Sequence, residues 1–224
     1  MKDLRKTKKP WPTNKVMEQI YEMKLWGNNN SNFYSGEGSH HPKIIEPYIT
    51  VVSTFLKSFK QPLVICDLGC GDFNVGKHFI IHVKEYIAID IVSSLIDFNS
   101  KIYNNDNLEF HCLDISKDNL PQADCLIIRQ VLQHLSNNEV ANILDKLSHY
   151  KYIIVTEHIP NGDFIPNKDI IAGQGIRLKN KSGLQIAKAP FYFNVGKEKI
   201  MLTQDLEDDK GKIITTLYTN LSID

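Results

Sequence analysis

Three aspartates, Asp67, Asp90 and Asp114, recur at spacings that suit a nucleoside-like ligand. Asp67 lies within Leu63-Val-Ile-Cys-Asp-Leu-Gly-Cys-Gly-Asp-Phe-Asn-Val-Gly76, where an apolar run ends on an acid followed by glycines. Gly69 and Gly71 carry no Cβ, so the backbone can turn sharply there and approach a ligand closely. Asp90 follows Gly69 by about twenty residues, the spacing at which a strand-end carboxylate accepts both hydroxyls of a ribose. A pyrophosphate fits less well, because Asp67 would repel it. The dinucleotide fingerprint G-x-G-x-x-G would also need its third glycine at Phe73-Asn74. A ligand carrying an ammonium suits Asp67 better.

Candidate acid–base groups lie further along. His134 ends the segment Ile128-Arg-Gln-Val-Leu-Gln-His, and His158 follows Glu157 at the close of another apolar run. Either imidazole could take a proton from a hydroxyl. Arg129, Gln130 and Gln133 share the first segment and so belong to the same edge. The stretch Trp26 to His41 breaks all periodicity and mixes glycines with Tyr34, His40 and His41. It reads as a lid, with those three side chains toward an acceptor. Arg177, in a glycine-bearing stretch, could grip a phosphate or carboxylate on that acceptor. Two histidines without a third matched ligand give no metal site.

The elements that must position these residues alternate. Thr13 or Asn14 caps a first helix running to Leu25, and Pro47 opens a second, with Ile49, Val52, Phe55, Leu56 and Phe59 at helical spacing. The run Leu63–Cys66 is a buried strand, followed by the glycine turn and a short helix from Val75 to about His82. Further strands are expected at Glu85–Asp90, Leu108–Leu113, Ala123–Ile128 and Tyr152–Thr156. A helix from Val92 to about Tyr103 falls between the first two. Another, opened by the capping-box match Ser136-Asn-Asn-Glu139, falls between the last two. Phe191–Leu202 and Lys212–Leu221 read as a final antiparallel pair. Such β-α-β order demands a parallel sheet with helices on both faces.

Asp67-Leu-Gly-Cys-Gly71 resembles motif I of the class I S-adenosylmethionine (SAM) methyltransferases, and the resemblance extends over roughly residues 63–224. It implies an α/β, Rossmann-like, doubly wound and mostly parallel seven-stranded sheet with an antiparallel last strand and an N-terminal helical cap. Residues 1–60, the helices and lid, then form part of the same domain as 61–224. It implies SAM as cofactor, held by Asp67, Gly69, Cys70, Gly71 and Asp90. Asp114 would meet the adenine amino group, with Ile91 and Ile115 flanking the ring and Arg129 near the methionine end. Small bacterial members carry a segment similar to Tyr34-Ser-Gly-Glu-Gly-Ser39. Plant-type O-methyltransferases are similar around Val131–His134, although their basic histidine aligns with Gln133. The segment is not the Asn/Asp-Pro-Pro-Tyr/Phe of enzymes that methylate exocyclic amines.

The expectation is transfer of a methyl group to a small polar acceptor, foremost a hydroxyl oxygen of a sugar or surface-polysaccharide precursor. N-methylation of a small metabolite, a non-catalytic SAM-binding protein and a nicotinamide-dependent oxidoreductase are the alternatives. The 26 basic and 26 acidic residues balance, which disfavours nucleic acid and membrane as partners. The cluster Lys2, Arg5, Lys6, Lys8 and Lys9 reads as a solvated tail. Four cysteines without a C-x-x-C pair read as reduced thiols, and no apolar run reaches spanning length, so the expected location is the cytoplasm. Monomer and homodimer both stay open.

Overall fold

The computed structural model describes residues 10–194 and 196–222, so the basic N-terminal cluster lies outside the described residues. Seven strands form one sheet in the order β3-β2-β1-β4-β5-β7-β6. They are β1 (Val64–Leu68), β2 (Glu85–Asp90), β3 (Leu108–Cys112), β4 (Cys125–Arg129), β5 (Tyr152–Ile159), β6 (Gly196–Asp205) and β7 (Lys212–Asn220). The first five run parallel, and β7 is antiparallel to both β5 and β6. This is the expected doubly wound architecture, with the antiparallel strand inserted beside β5.

Central strands covered on both faces must be apolar throughout. Ile65, Cys66 and Leu68 of β1 and Leu126 and Ile128 of β4 are accordingly fully buried. Below the sheet, α2 (Pro42–Lys57) sets Tyr48, Val52 and Leu56 against Ile65, Ala88 and Ile127. On the other face, Leu95 of α3 (Ser93–Ile102) and Val140, Ile143 and Leu144 of α4 (Asn137–Leu147) cover Leu68, Leu126 and Ile128. Each such side chain contributes about 1.5–3 kcal/mol. Two cores therefore flank the central strands, and the polar groups gather at their carboxyl ends.

Several boundaries differ from expectation. Helix α1 (Thr13–Glu22) follows Pro12 and has no side-chain cap; the Thr13 hydroxyl donates instead to Glu139. Its buried side is Met17, Ile20 and Tyr21, and Met23 is 60% exposed. Pro42, not Pro47, occupies the first turn of α2, and Pro47 lies inside the helix. The stretch after the glycine turn is two short 3₁₀ turns, Gly76–His78 and Ile80–His82. Strand β5 runs on to Ile159 because β7 pairs with it as far as Lys212. The capping box forms as expected, with Ser136 and Glu139 each meeting the other's backbone N–H. Among the described residues no helix is long and apolar enough to cross a membrane.

Candidate active site

A cavity of about 860 Å³ opens at the carboxyl ends of the parallel strands, where the order reverses between β1 and β4. That reversal is where open α/β sheets bind ligands. Fourteen of the expected site residues line it: Asp67, Gly69, Cys70, Gly71, Asp90, Ile91, Asp114, Ile115, Arg129, Gln130, Gln133, His134, His158 and His41.

The glycine turn is fixed by backbone geometry. Gly69 has φ +82°, and a Cβ there would come within 2.4 Å of Val131 Cγ2. Gly71 has φ +55°, and its Cβ would meet the Ser35 hydroxyl at 2.5 Å. Only glycine tolerates both the dihedral and the close approach. The N–H groups of Gly69 and Cys70 donate to Ile89 O, both at 2.8 Å, which ties the turn to β2. Asp90 at the end of β2 accepts from the N–H of Gly71 and of Val92, both at 3.1 Å. Both oxygens keep further lone pairs for a ligand.

Asp67 is buried, and the Tyr86 hydroxyl donates to it at 2.8 Å. Burial pushes its carboxyl up to about 7, against the opposing pull of the Tyr86 hydrogen bond and the Arg129 guanidinium. Burial likewise raises Asp90 to about 6, with its backbone donors opposing. Both acids are thus poised to gain from a cation placed beside them. Asp114 differs. Burial alone would raise it, but Lys117, at 2.5 Å, and the Ser116 amide and hydroxyl outweigh that and hold it below the usual range. It is a fixed anion beside Ile91, Leu113 and Ile115.

The lid closes on the glycine turn through polar contacts. Asp72 accepts from the Ser35 N–H at 2.9 Å and bonds His40 Nε2 at 2.5 Å, while the Ser35 hydroxyl accepts from the Asp72 N–H at 2.9 Å. The Asn74 amide donates to Ser39 O at 2.8 Å, and Arg129 donates to Gly38 O and to the Ser39 hydroxyl. Here two expectations fail. Tyr34 stacks on His40 at 4.5 Å and donates to Glu37, and neither Tyr34 nor His40 lines the cavity. Their polar atoms are used in bracing the lid, so Gly36, Glu37 and Gly38 face the cavity in their place.

After β4 the chain turns at Gln130, held at φ +55°, into a 3₁₀ turn from Leu132 to His134. Buried Glu157 supports this turn, accepting the N–H of Leu132 at 3.2 Å and of Gln133 at 3.1 Å. Burial drives its carboxyl up to about 8 despite those donors and Arg177. His134 Nδ1–H donates to Gly173 O at 3.0 Å, so Nε2 carries the lone pair. Burial lowers its pKa to about 4, and the imidazole is neutral at pH 7. Trp26 packs beside it, ring centres 5.2 Å apart. His158 points to the other face from Glu157 and donates from Nε2 to Lys210 O at 2.7 Å. Burial lowers its pKa as well.

Arg177 is the third correction. It is 1% exposed, and its guanidinium donates to the carbonyls of Leu132, Gln133, Leu135 and Lys168 and to Asn137 Oδ1. With its donors committed it holds the 3₁₀ turn to α4 and does not reach an acceptor. Among the described residues no three His, Cys, Asp or Glu converge as metal ligands.

Sequence reasoning missed Asp72, Ser35, the support that Glu157 gives the 3₁₀ turn, and the wall formed by Gln204, Glu207 and Lys210. Asp72, directly behind the second glycine, was the one with a local signal. The others acquire their places only through strand pairing and lid closure.

No protein-family model matches the chain, and no curated protein sequence does. Its shape is nonetheless shared. The N-methyltransferase NodS of Bradyrhizobium japonicum WM9, solved with S-adenosyl-L-homocysteine (SAH), superposes with a TM-score of 0.65 at 12% identity, over 92% of this chain and 99% of that one. Human N-acetylserotonin methyltransferase, solved with SAM, gives 0.57 at 14% identity over 94% of this chain and 60% of that one. The magnesium protoporphyrin IX methyltransferase of Synechocystis PCC 6803, also with SAM, gives 0.57 at 13% identity over 95% and 100%. A sheet in the order 3-2-1-4-5-7-6, a glycine turn after β1 and these superpositions agree on one architecture. The chain has the Rossmann-like fold of the class I SAM-dependent methyltransferases.

Proposed function

We propose that this protein is a SAM-dependent methyltransferase acting on a hydroxyl of a small polar acceptor, a sugar or glycan precursor. The observation that carries the reading is the convergence of Asp67, Asp90 and Asp114 on one cavity with the Gly69–Gly71 turn between them. The cradle fits the cofactor: Asp67 suits its ammonium, Asp90 its ribose hydroxyls and Asp114 its adenine amine, with Ile91 and Ile115 against the ring. The cofactor supplies an activated methyl on a sulfonium.

The chain's own residues then have three tasks. The lid, latched through Asp72, Asn74 and Arg129, keeps water from the reacting atoms. The rigid 3₁₀ turn over Glu157 aligns the acceptor, and alignment is worth up to ~7–11 kcal/mol in favourable cases. His134 is fixed as the Nδ1–H tautomer, and its Nε2, on which the Gln133 amide rests at 3.4 Å, receives the acceptor's proton as the new bond forms, the acceptor hydroxyl displacing that amide. His158 gives its Nε2–H to Lys210 O, which makes it a support for the β6–β7 turn.

Calorimetric titration of SAM, SAH and NADH tests the reading. SAM and SAH should bind and NADH should not. Asp90→Ala should weaken SAH by ~10–100-fold, the worth of hydrogen bonds to a charged group. Binding of NADH alone would return the nicotinamide reading.

A further inference from the structure

Beyond the three carboxylates the cavity continues into a lobe lined by α2 and the β6–β7 turn, including Lys43, Ile44, Gln204, Leu206, Glu207 and Ile213. No part of the cofactor reading uses it. We infer that this lobe binds the acceptor and selects an uncharged, hydroxyl-bearing ring over one carrying phosphate or carboxylate. The inference rests on the methyl-transfer reading and refines it.

The lobe is built by a defect in α2. Pro47 has no N–H, so the carbonyl four residues earlier, Lys43 O, loses its helical donor. Gln204 of β6 supplies the replacement, donating from Nε2 to Lys43 O and Ile44 O, each at 3.1 Å. An ion pair between Lys43 and Glu207, 2.7 Å, closes the same junction at the surface. From the other side His158 holds Lys210 O, and Asn161 holds Asp209 at 2.6 Å. The turn is therefore fastened to both α2 and β5, and its shape is preset before a ligand arrives.

Its chemistry favours hydrogen-bond donors. With Nε2 committed, Gln204 has its Oε1 left as an acceptor, and His158 has only the Nδ1 lone pair. Lys43 is paired with Glu207 and Lys210 with Asp208, at 3.2 Å, while Asp205 adds a further anion. The deeper Arg129 gives Nη1 and Nη2 to the lid and lies over the Tyr48 ring at 4.9 Å, its Nε buried and, among the described residues, without a hydrogen-bond partner. Lys179 also borders the cavity, but from the Arg177–Asn180 turn, a different wall. The lone pairs accept hydroxyl protons and repel phosphate oxygens, and the two paired lysines have their charge already offset by Glu207 and Asp208. Ile44, Leu206 and Ile213 supply an apolar surface for the C–H face of a ring.

The test uses the full chain saturated with SAH and titrated with neutral methyl hexopyranosides, with glucose 6-phosphate and with uridine diphosphate glucose. The neutral glycosides should bind and the two phosphates should not. Gln204→Ala should weaken the glycosides by about fivefold, the scale of one neutral hydrogen bond, with SAH affinity unchanged. Glu207→Gln, an exposed change that leaves the fold intact, should weaken them in the same direction. Preference for either phosphate overturns the inference, as does glycoside binding indifferent to both substitutions. Binding of SAH but of no glycoside refutes the acceptor class and leaves the cofactor reading standing. Failure of SAH itself to bind would refute both.

Discussion

The carboxylates of the proposed cofactor site make its affinity depend on pH, and the size of the effect follows from the structure. Asp67 and Asp90 titrate near 7 and 6 because burial disfavours their charged forms. A ligand ammonium beside Asp67 and ribose hydroxyls on Asp90 both require the ionised acid, so binding must expel any proton present. At pH 6, Asp67 is about nine-tenths protonated and Asp90 about half, whereas at pH 8 both are ionised. The cost is about tenfold from Asp67 and about twofold from Asp90, so SAH should bind about 20-fold more weakly at pH 6 than at pH 8. Calorimetry in buffers of different ionisation enthalpy would count the protons released, between about one and two at pH 6. Asp67→Asn should weaken binding at pH 8 and leave only the Asp90 part of the slope, about twofold. Affinities equal within about twofold at the two pH values, or an unchanged slope in Asp67→Asn, would refute the placement of the ammonium at Asp67.

Three further outcomes are expected. Ligand-free protein should lose stability between pH 6.5 and 8, because folded Asp67 and Glu157, at about 7 and 8, hold protons that the unfolded chain has released. The loss is on the order of 2 kcal/mol, and a melting temperature that is flat or rising across that window would contradict it. Arg177→Ala should cost about 3 kcal/mol or more in chemical denaturation, since four carbonyls and Asn137 lose their donor inside the fold. A loss below about 1 kcal/mol would mean that those groups find other partners. With a competent acceptor, His134→Ala should lower kcat by ~10²-fold at constant SAH affinity, whereas His158→Ala should act mainly on acceptor KM. If His134→Ala costs less than about tenfold in kcat, proton acceptance there is unimportant and alignment carries the reaction.

Read alone, the sequence determined the architecture and the carboxylate wall. The runs Val64–Cys66 and Cys125–Ile128 are apolar on both faces, which only a covered parallel sheet accommodates. The Asp67–Gly71 turn carries its geometry within a few residues of chain, and Asp90 follows it at the spacing of one strand–turn–strand unit, so their placement could be read from the sequence. Ser136-Asn-Asn-Glu139 was legible for the same reason. Tertiary structure decided what depends on distant partners. Tyr34, His40 and Arg177 have the chemistry of acceptor ligands, yet Glu37, Asp72 and the carbonyls of the Leu132–Leu135 segment claim their polar atoms. His134 and His158 were equivalent as letters, and Gly173 O and Lys210 O separate them by fixing which nitrogen keeps its lone pair. Pro47, expected at a helix start, lies in a helix interior and frees the carbonyl that draws in Gln204. Backbone propensity acts over a few residues. A hydrogen-bond donor is assigned only when the fold brings its acceptor within about 3 Å.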